Sequence, residues 1–172
     1  MLYKDFEYDF IERTLKNLSW IEKQWYQRCQ EQETDENFYE FTNLVNQCLG
    51  LIIFPKEFSD DTFINQLPQE LKSYHIGDSI VKKIKGDNKT LKNILHHLRN
   101  GIAHGHILQY SNGNNDITDV KIFDVNPQVR KPTEQDAHTI FEFSVEELKT
   151  FVIKVAEEYC RLKKEELDQA IN

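Results

Sequence analysis

The chain has 172 residues, a mass of 20.5 kDa and a formal net charge of −8, from 21 Lys and Arg against 29 Asp and Glu. This length suits one domain, and a hydrophobic content of 39% with an aromatic content of 12% excludes a disordered chain. The acidic balance argues against a protein that binds nucleic acid over its whole surface, although a local basic site remains open. Three widely spaced cysteines without a CxxC pair favour reduced thiols over a disulfide framework.

The sequence gives no sign of a signal peptide or a membrane span. The N-terminal segment MLYKDFEYDF carries acidic residues where a signal peptide needs a basic start and an apolar run. The longest apolar run, near 48–54, is much shorter than the roughly 20 residues of a membrane helix. We therefore expect a cytoplasmic protein with no membrane partner, organised as a single domain over residues 1–172.

Apolar residues at helical spacing predict three helices in the first hundred residues. The first covers about 5–32, the second covers 38–52 and stops at Pro55, and the third covers 91–102. Gly101 and Gly105 interrupt or end the third helix. Weaker patterns on either side of Pro68 predict short helices within 60–67 and 70–85.

The pattern changes to that of strands between the third helix and the last one. Short strands are predicted at 120–122 and 139–143, and the turn-rich stretch SNGNND precedes them. Ser144 and Glu147 form a capping box that begins the last helix, whose polar tail, 163–172, is expected to fray. The predicted fold is mainly α, with a small antiparallel β insertion between the third and last helices.

Charge is unevenly distributed along the chain. The segment 82–99 carries six basic residues and a single acid, so it has a charge of +5 and the rest of the chain has −13. A basic segment on an acidic body is a candidate phosphate-binding patch, although it could equally be an ordinary solvated lysine face.

The basic segment leads into LRNGIAHGH, residues 98–106, where Arg99 and His104 bracket four residues. Imidazole transfers protons near neutral pH, and guanidinium neutralises a phosphate. Together these groups can cleave RNA without a metal, because the ribose 2′-OH is a built-in nucleophile. Asn100 would orient His104 or a phosphate oxygen. The alternative is structural: an Arg in ion pairs and a His capping carbonyl groups at a helix end.

Arg99-Asn100-Gly101-Ile102-Ala103-His104 resembles the R-x4-6-H signature of HEPN-domain ribonucleases. A second stretch adds to the resemblance: Tyr39-Glu40, Thr42, Asn46, Leu49-Gly50-Leu51 and Pro55 are similar to a Y-E-x-T…N-x-x-L-G-L…P pattern in a plasmid- and defence-associated HEPN group. The order of two long helices, signature, strand-rich insertion and last helix also resembles that group.

The resemblance implies a HEPN-like helical bundle, a homodimer with a composite active site, and metal-independent RNA cleavage that leaves a 2′,3′-cyclic phosphate. Such proteins act as toxins or defence effectors, so a cognate antitoxin is a possible partner. Some HEPN toxins carry a Tyr two positions after the signature His, which an antitoxin modifies, but this chain has His106 there. Control by that modification is therefore not expected. We assign catalysis to Arg99, Asn100 and His104, and RNA binding to Lys89, Lys92 and His106.

Helix geometry sets a condition on this assignment. Residues five apart on an unbroken helix lie about 140° apart around its axis, so Arg99 and His104 would not share a face. Either Gly101 distorts the backbone, or the long Arg side chain reaches round, or the partner subunit completes the pair. Asn100 and His104, four apart, do share a face.

Three polar residues on the second helix have two interpretations. Thr42 and Asn46 lie one turn apart beside an apolar stripe, which favours a structural hydrogen bond to a neighbouring helix. Alternatively, Glu40, Thr42 and Asn46 support the Arg99 and His104 site from behind.

The histidines at 96, 97, 104 and 106 are not predicted to bind a metal, since no carboxylate or Cys spacing joins them into a known site. His75 and His138 are predicted to be surface residues, and no cofactor is expected. Two other functions stay open: a noncatalytic HEPN module that binds RNA or a protein partner, and a purely structural dimer.

Overall fold

The computed structural model describes residues 5–31, 40–53, 61–86, 88–113 and 116–170. Its helices are α1 (Phe6–Glu31), α2 (Glu40–Cys48), α3 (Asp61–Gln66), α4 (Leu91–Ala103) and α5 (Val145–Ala170). A π-helical segment, Leu49–Ile53, continues α2, and 3-10 turns cover Leu71–Tyr74, Asp78–Ile80 and Glu134–Asp136. Within these ranges, no helix has both the length and the apolar character needed to cross a membrane.

Four antiparallel strands form one sheet in the order β1–β4–β3–β2. The strands are β1 (Val81–Lys83), β2 (Ile107–Ser111), β3 (Ile117–Val125) and β4 (Ala137–Ser144). Every second residue of β4 is buried, beginning with Ala137, because side chains alternate between the two faces of a strand. The pairing of β3 with β4 runs from Asp119 opposite Ser144 to Val125 opposite Ala137.

Three of the four strands lie between α4 and α5, but β1 comes before α4. The prediction of helix for 70–85 is therefore wrong at Val81–Lys83, although the 3-10 turns agree with it in part. A three-residue strand is too short to show alternation in the sequence. Its conformation depends on pairing with a distant strand, with Val81 opposite Phe141.

The two long helices, α1 and α5, pack against each other in antiparallel directions. Tyr159 Oη donates a hydrogen bond to Glu7 Oε2 at 3.2 Å, and Lys149 Nζ lies 2.6 Å from Glu22 Oε1. The beginning of α1 therefore lies beside the later part of α5. Ile11 of α1 is completely buried, as the apolar periodicity of this helix predicted.

The last helix begins at the predicted capping box. The Ser144 backbone N–H donates to Glu147 Oε2 at 2.8 Å, and the Glu147 N–H donates to Ser144 Oγ at 3.1 Å. The expected fraying of the tail is wrong for the described residues, because the helix continues to Ala170. Ion pairs one turn apart support this end, such as Arg161 with Glu165 at 2.6 Å.

The π-helical segment after α2 packs closely against α1. A Cβ atom added to Gly50 would lie 3.2 Å from Thr14 Cγ2, so the glycine permits the close approach. Leu51 next to it is completely buried. The helix predicted for 38–52 is confirmed over Glu40–Cys48 and its π-helical extension, whereas its predicted stop at Pro55 lies outside the described residues.

Candidate functional site

Five of the six histidines of the chain line a single cleft with a volume of about 590 Å³. The cleft lies where the second half of α4 meets the ends of β3 and β4. Its polar lining consists mainly of His96, His97, Arg99, Asn100, His104, His106, Asp124, His138 and Lys85. The sixth histidine, His75, is exposed.

The end of α4 sets the positions of two of these histidines. The Gly105 N–H donates to the Ile102 carbonyl at 3.1 Å and the His106 N–H donates to the Gly101 carbonyl at 2.8 Å. These two bonds define a Schellman motif, in which Gly105 takes the left-handed conformation with φ of 69°. The chain therefore reverses directly after His104, and both His104 and His106 line the cleft.

Gly101 brings α4 unusually close to β3. A Cβ atom at this position would lie 2.6 Å from Ile122 Cγ2 and 2.9 Å from the Phe123 carbonyl oxygen. The helix passes through Gly101 without a break, and the His104 N–H still donates to the Asn100 carbonyl at 3.1 Å. Gly101 therefore does not distort the helix. Its function is to let α4 contact the backbone of β3.

This close approach places Asn100 beside a buried carboxylate on β3. Asn100 Nδ2 donates to Asp124 Oδ2 at 3.0 Å, and Arg99 Nη1 donates to Asn100 Oδ1 at 2.9 Å. Because a carboxylate only accepts and a guanidinium only donates, these two partners fix the orientation of the Asn100 amide. Asp124 therefore holds Arg99 indirectly, through Asn100.

Asp124 also holds a histidine. His97 Nδ1 lies 2.7 Å from Asp124 Oδ2, and His138 Nε2 lies 4.0 Å from the same oxygen. Burial alone would raise the pKa of the Asp124 carboxyl, but hydrogen bonds from His97 and Asn100 outweigh it and hold this pKa below its usual value. Asp124 is therefore ionised at neutral pH, although only 4% of the residue is exposed.

Burial has the opposite effect on His138. It lowers the pKa of the imidazole because it disfavours the charged form, and the charge of Asp124 offsets only part of that effect. The ring nitrogen His138 Nδ1 lies 3.1 Å from the hydroxyl of the buried Thr139. The predicted surface position of His138 is thus wrong, since this residue is half-buried and lines the cleft.

His104 and His106 lie side by side in the same cleft. Their ring centroids are 5.8 Å apart, and the His106 ring stacks on Phe123 at 5.2 Å with an interplanar angle of 12°. His106 Nδ1 is buried and has no hydrogen-bond partner among the described residues. The two imidazoles therefore lie within reach of one bound ligand.

The structure brings Arg99, Asn100, His104 and His106 together but separates the basic residues of 82–99. Lys85 lines the cleft, whereas Lys82 forms an ion pair with Glu142 at 3.5 Å. Lys82 lines a second cavity, which Tyr110 and Lys121 also line. Lys89 and Lys92 are not among the residues that line either cavity. The basic segment is thus not one continuous patch.

Thr42 and Asn46 lie on α2. Thr42 and Asn46 are exposed, so neither makes the buried hydrogen bond that the helical pattern favoured. Neither lines the cleft of its own chain. Glu40 begins α2, and its side chain lies outside the described part of the structure.

The sequence alone did not point to His97, Asp124 or His138 as members of the site. One signal was available: Asp124 stands inside the apolar run Ile122-Phe123-Asp124-Val125, where a buried carboxylate needs partners. The identity of those partners depends on tertiary contacts between α4, β3 and β4, which spacing along the chain does not reveal.

Asp124→Asn is expected to lower the free energy of unfolding by about 1–3 kcal/mol, because Asp124 Oδ2 binds both His97 and Asn100 as a charged oxygen and a neutral amide oxygen accepts such hydrogen bonds more weakly. Urea unfolding of the purified protein measures this change. Asp119→Asn is the matched control, since Asp119 is exposed on the same strand and its replacement should change stability by less than roughly 0.5 kcal/mol. Equal stabilities of the two variants would contradict a structural role for Asp124.

A family model described as HEPN pEK499 p136 matches residues 1–166. The chain therefore belongs to this HEPN family, as its signature indicated. Membership suggests a nuclease or an RNA-binding module. No curated protein and no solved structure matches the chain.

Proposed function

We propose that this protein is a metal-independent endoribonuclease that cleaves RNA through the ribose 2′-OH and leaves a 2′,3′-cyclic phosphate. The observation that carries the proposal is the joint position of Arg99, Asn100 and His104 in one cleft, with Asn100 bonded to both Arg99 and the buried Asp124. These three groups lie at a single helix end, which β3 holds in place.

Each residue has a chemical role in this proposal. The 2′ oxygen attacks the adjacent phosphorus as its proton leaves, and the bond from phosphorus to the 5′ oxygen breaks as that oxygen gains a proton. His104 transfers one of these protons, because imidazole is the side chain that most often acts as a general acid or base. Arg99 stabilises the negative charge on the phosphate oxygens, since a guanidinium group can donate two parallel hydrogen bonds to a phosphate. Asn100 keeps Arg99 in place.

One imidazole cannot donate and accept a proton at the same moment. The proposal therefore includes a homodimer with a composite active site, in which two copies of the signature supply the acid and the base. His106 lies close enough to His104 to contact the same ligand, and we assign it to RNA binding. Thr42 and Asn46, with Glu40, would have a supporting role only across such a dimer, because Thr42 and Asn46 are exposed on α2 and do not line their own cleft.

The direct test is cleavage of a labelled RNA by purified protein in EDTA. Wild-type protein is expected to cleave, and Arg99→Ala is expected to lose cleavage while it keeps its far-UV circular dichroism spectrum. Lys164→Ala is a matched control, since it removes an exposed positive charge from α5, outside the residues that line the cleft. Cleavage that requires added Mg²⁺, or that survives Arg99→Ala, would rule out the proposed mechanism.

The other candidate is a noncatalytic HEPN module that binds RNA or a protein partner. The presence of Lys85 and Arg99 in the cleft favours RNA for this alternative, because both side chains can neutralise phosphates. RNA binding by wild-type protein without any cleavage would support it. A role as a toxin or defence effector with a cognate antitoxin rests on family membership.

Lys85→Ala is expected to weaken RNA binding more than Lys89→Ala does. Lys85 lines the cleft, whereas Lys89 is exposed outside it and would contact RNA that extends beyond the cleft. The affinity for RNA falls as the salt concentration rises. Loss of a phosphate contact should make a plot of log affinity against log salt concentration less steep by roughly 1. Fluorescence anisotropy with the His104→Ala protein, at several salt concentrations, measures both slopes without cleavage. A larger loss for Lys89→Ala would place the RNA elsewhere.

A further inference from the structure

We propose that His97, Asp124 and His138 form a binding site for one divalent transition-metal ion of the zinc class. The three side chains come from α4, β3 and β4, and each offers one donor atom. These three donor atoms all lie within 4.8 Å of one another. The site does not depend on the proposed ribonuclease activity, and it can be tested without RNA.

The surroundings of the three residues suit a bound ion. His97 and Asp124 are 5% and 4% exposed, so two of the ligands are fixed in the interior. The His138 side chain is 24% exposed and lines the cleft, which gives an ion a route of entry. Three protein ligands leave a fourth position open toward the cleft for water.

The distances require only a small adjustment. His97 Nδ1 lies 2.7 Å from Asp124 Oδ2, and His138 Nε2 lies 4.0 Å from the same oxygen. Donor atoms that each lie roughly 2.0–2.1 Å from a tetrahedral zinc ion are about 3.3 Å apart. The two observed separations bracket this value. The ion would take the place of the proton between His97 Nδ1 and Asp124, and the neutral His97 imidazole would then carry its one proton on Nε2.

The donor set indicates which metal ions would bind. Two imidazoles with one carboxylate suit Zn²⁺ and neighbouring transition metals. Mg²⁺ and Ca²⁺ prefer sites built from oxygen ligands. A bound ion would connect α4 to both central strands of the sheet, β3 and β4, and so raise the melting temperature of the protein.

His138 separates this proposal from a simpler explanation, in which Asp124 is only a hydrogen-bond acceptor that holds His97 and Asn100. That function needs no contribution from His138, because 4.0 Å is too long for a hydrogen bond to Asp124. A metal ion would need His138 as its third ligand. Variants at His138 are therefore the decisive ones.

The experiment titrates full-length protein, stripped with EDTA and desalted, with Zn²⁺ in a calorimeter. We expect one Zn²⁺ per chain, a higher melting temperature and no such effect with Mg²⁺. His138→Gln should weaken Zn²⁺ binding by at least roughly tenfold, since even loss of an outer-sphere partner costs about 10–100-fold. His75→Asn is the matched control, because His75 is exposed outside the cleft and its positive φ of 62° suits Asn.

A second variant identifies the ligand directly. His138→Cys loaded with Co²⁺ should show a thiolate-to-cobalt charge-transfer band in the near ultraviolet, which wild-type protein lacks. Three results would overturn the proposal: no stoichiometric Zn²⁺ binding by wild-type protein, unchanged binding by His138→Gln, or no such band from folded His138→Cys. If His104→Gln abolished Zn²⁺ binding and His138→Gln kept it, the ion would bind at His104 instead, and this result would also overturn the proposal.

Discussion

His104→Ala is expected to slow RNA cleavage by roughly 10²–10⁴-fold, the usual contribution of a positioned acid or base. Proton transfer within the signature is assigned to the imidazole of His104, because Arg99 binds the phosphate in this mechanism. The fold should survive, because His104 is exposed and stabilises the end of α4 through its backbone N–H, 3.1 Å from the Asn100 carbonyl. Initial rates on a labelled RNA in EDTA measure the effect.

The control for this prediction is another exposed histidine. His75→Asn should cleave at the wild-type rate, since His75 lies outside the cleft. His104→Gln should be as slow as His104→Ala, because an amide cannot take over proton transfer. Wild-type rates for His104→Ala would remove His104 from the mechanism.

Gly101→Ala is expected to lower the free energy of unfolding by about 1–3 kcal/mol, as overpacking of a tight contact usually does. The new methyl group would lie 2.6 Å from Ile122 Cγ2 and 2.9 Å from the Phe123 carbonyl oxygen. The backbone atom cannot turn away as a side chain can, so α4 has to move away from β3. That movement would also lengthen the Asn100–Asp124 hydrogen bond and slow cleavage.

The direction of the change in stability of Gly101→Ala distinguishes two explanations. Helix propensity alone predicts that Ala in place of Gly stabilises α4 by about 1 kcal/mol. The close contact predicts destabilisation instead, and urea unfolding distinguishes the two. Gly113→Ala is the control, because a Cβ atom there meets nothing within 4 Å. A stabilised Gly101→Ala protein would show that the contact between α4 and β3 is not tight.

Local patterns predicted the parts of the fold that local interactions determine. The helical spacing of apolar residues predicted α1 and α4, and the capping pair Ser144 and Glu147 predicted where α5 begins. The signature residues Arg99 and His104 both line one cleft, and their catalytic role stays a prediction. The helix is continuous through Gly101, so a broken helix does not account for their shared cleft.

Tertiary contacts determine what the sequence left out. Asp124 meets His97 only because β3 crosses α4, and these residues are 27 positions apart in the chain. The strand β1 forms only by pairing with β4. The charge of the segment 82–99 suggested one basic patch, but tertiary contacts separate its lysines. Lys82 forms an ion pair with Glu142 of β4, whereas Lys85 lines the cleft.

The central claim is that this cleft cleaves RNA through the ribose 2′-OH without a metal ion. Its most direct measurement uses a short RNA labelled at its 5′ end, in EDTA, together with the same RNA carrying a single 2′-deoxy sugar at the cleaved position. We predict that wild-type protein cuts the first RNA to a product ending in a 2′,3′-cyclic phosphate and leaves the second intact at that position. Equal cutting of both RNAs, or no cutting of the first, would contradict the account.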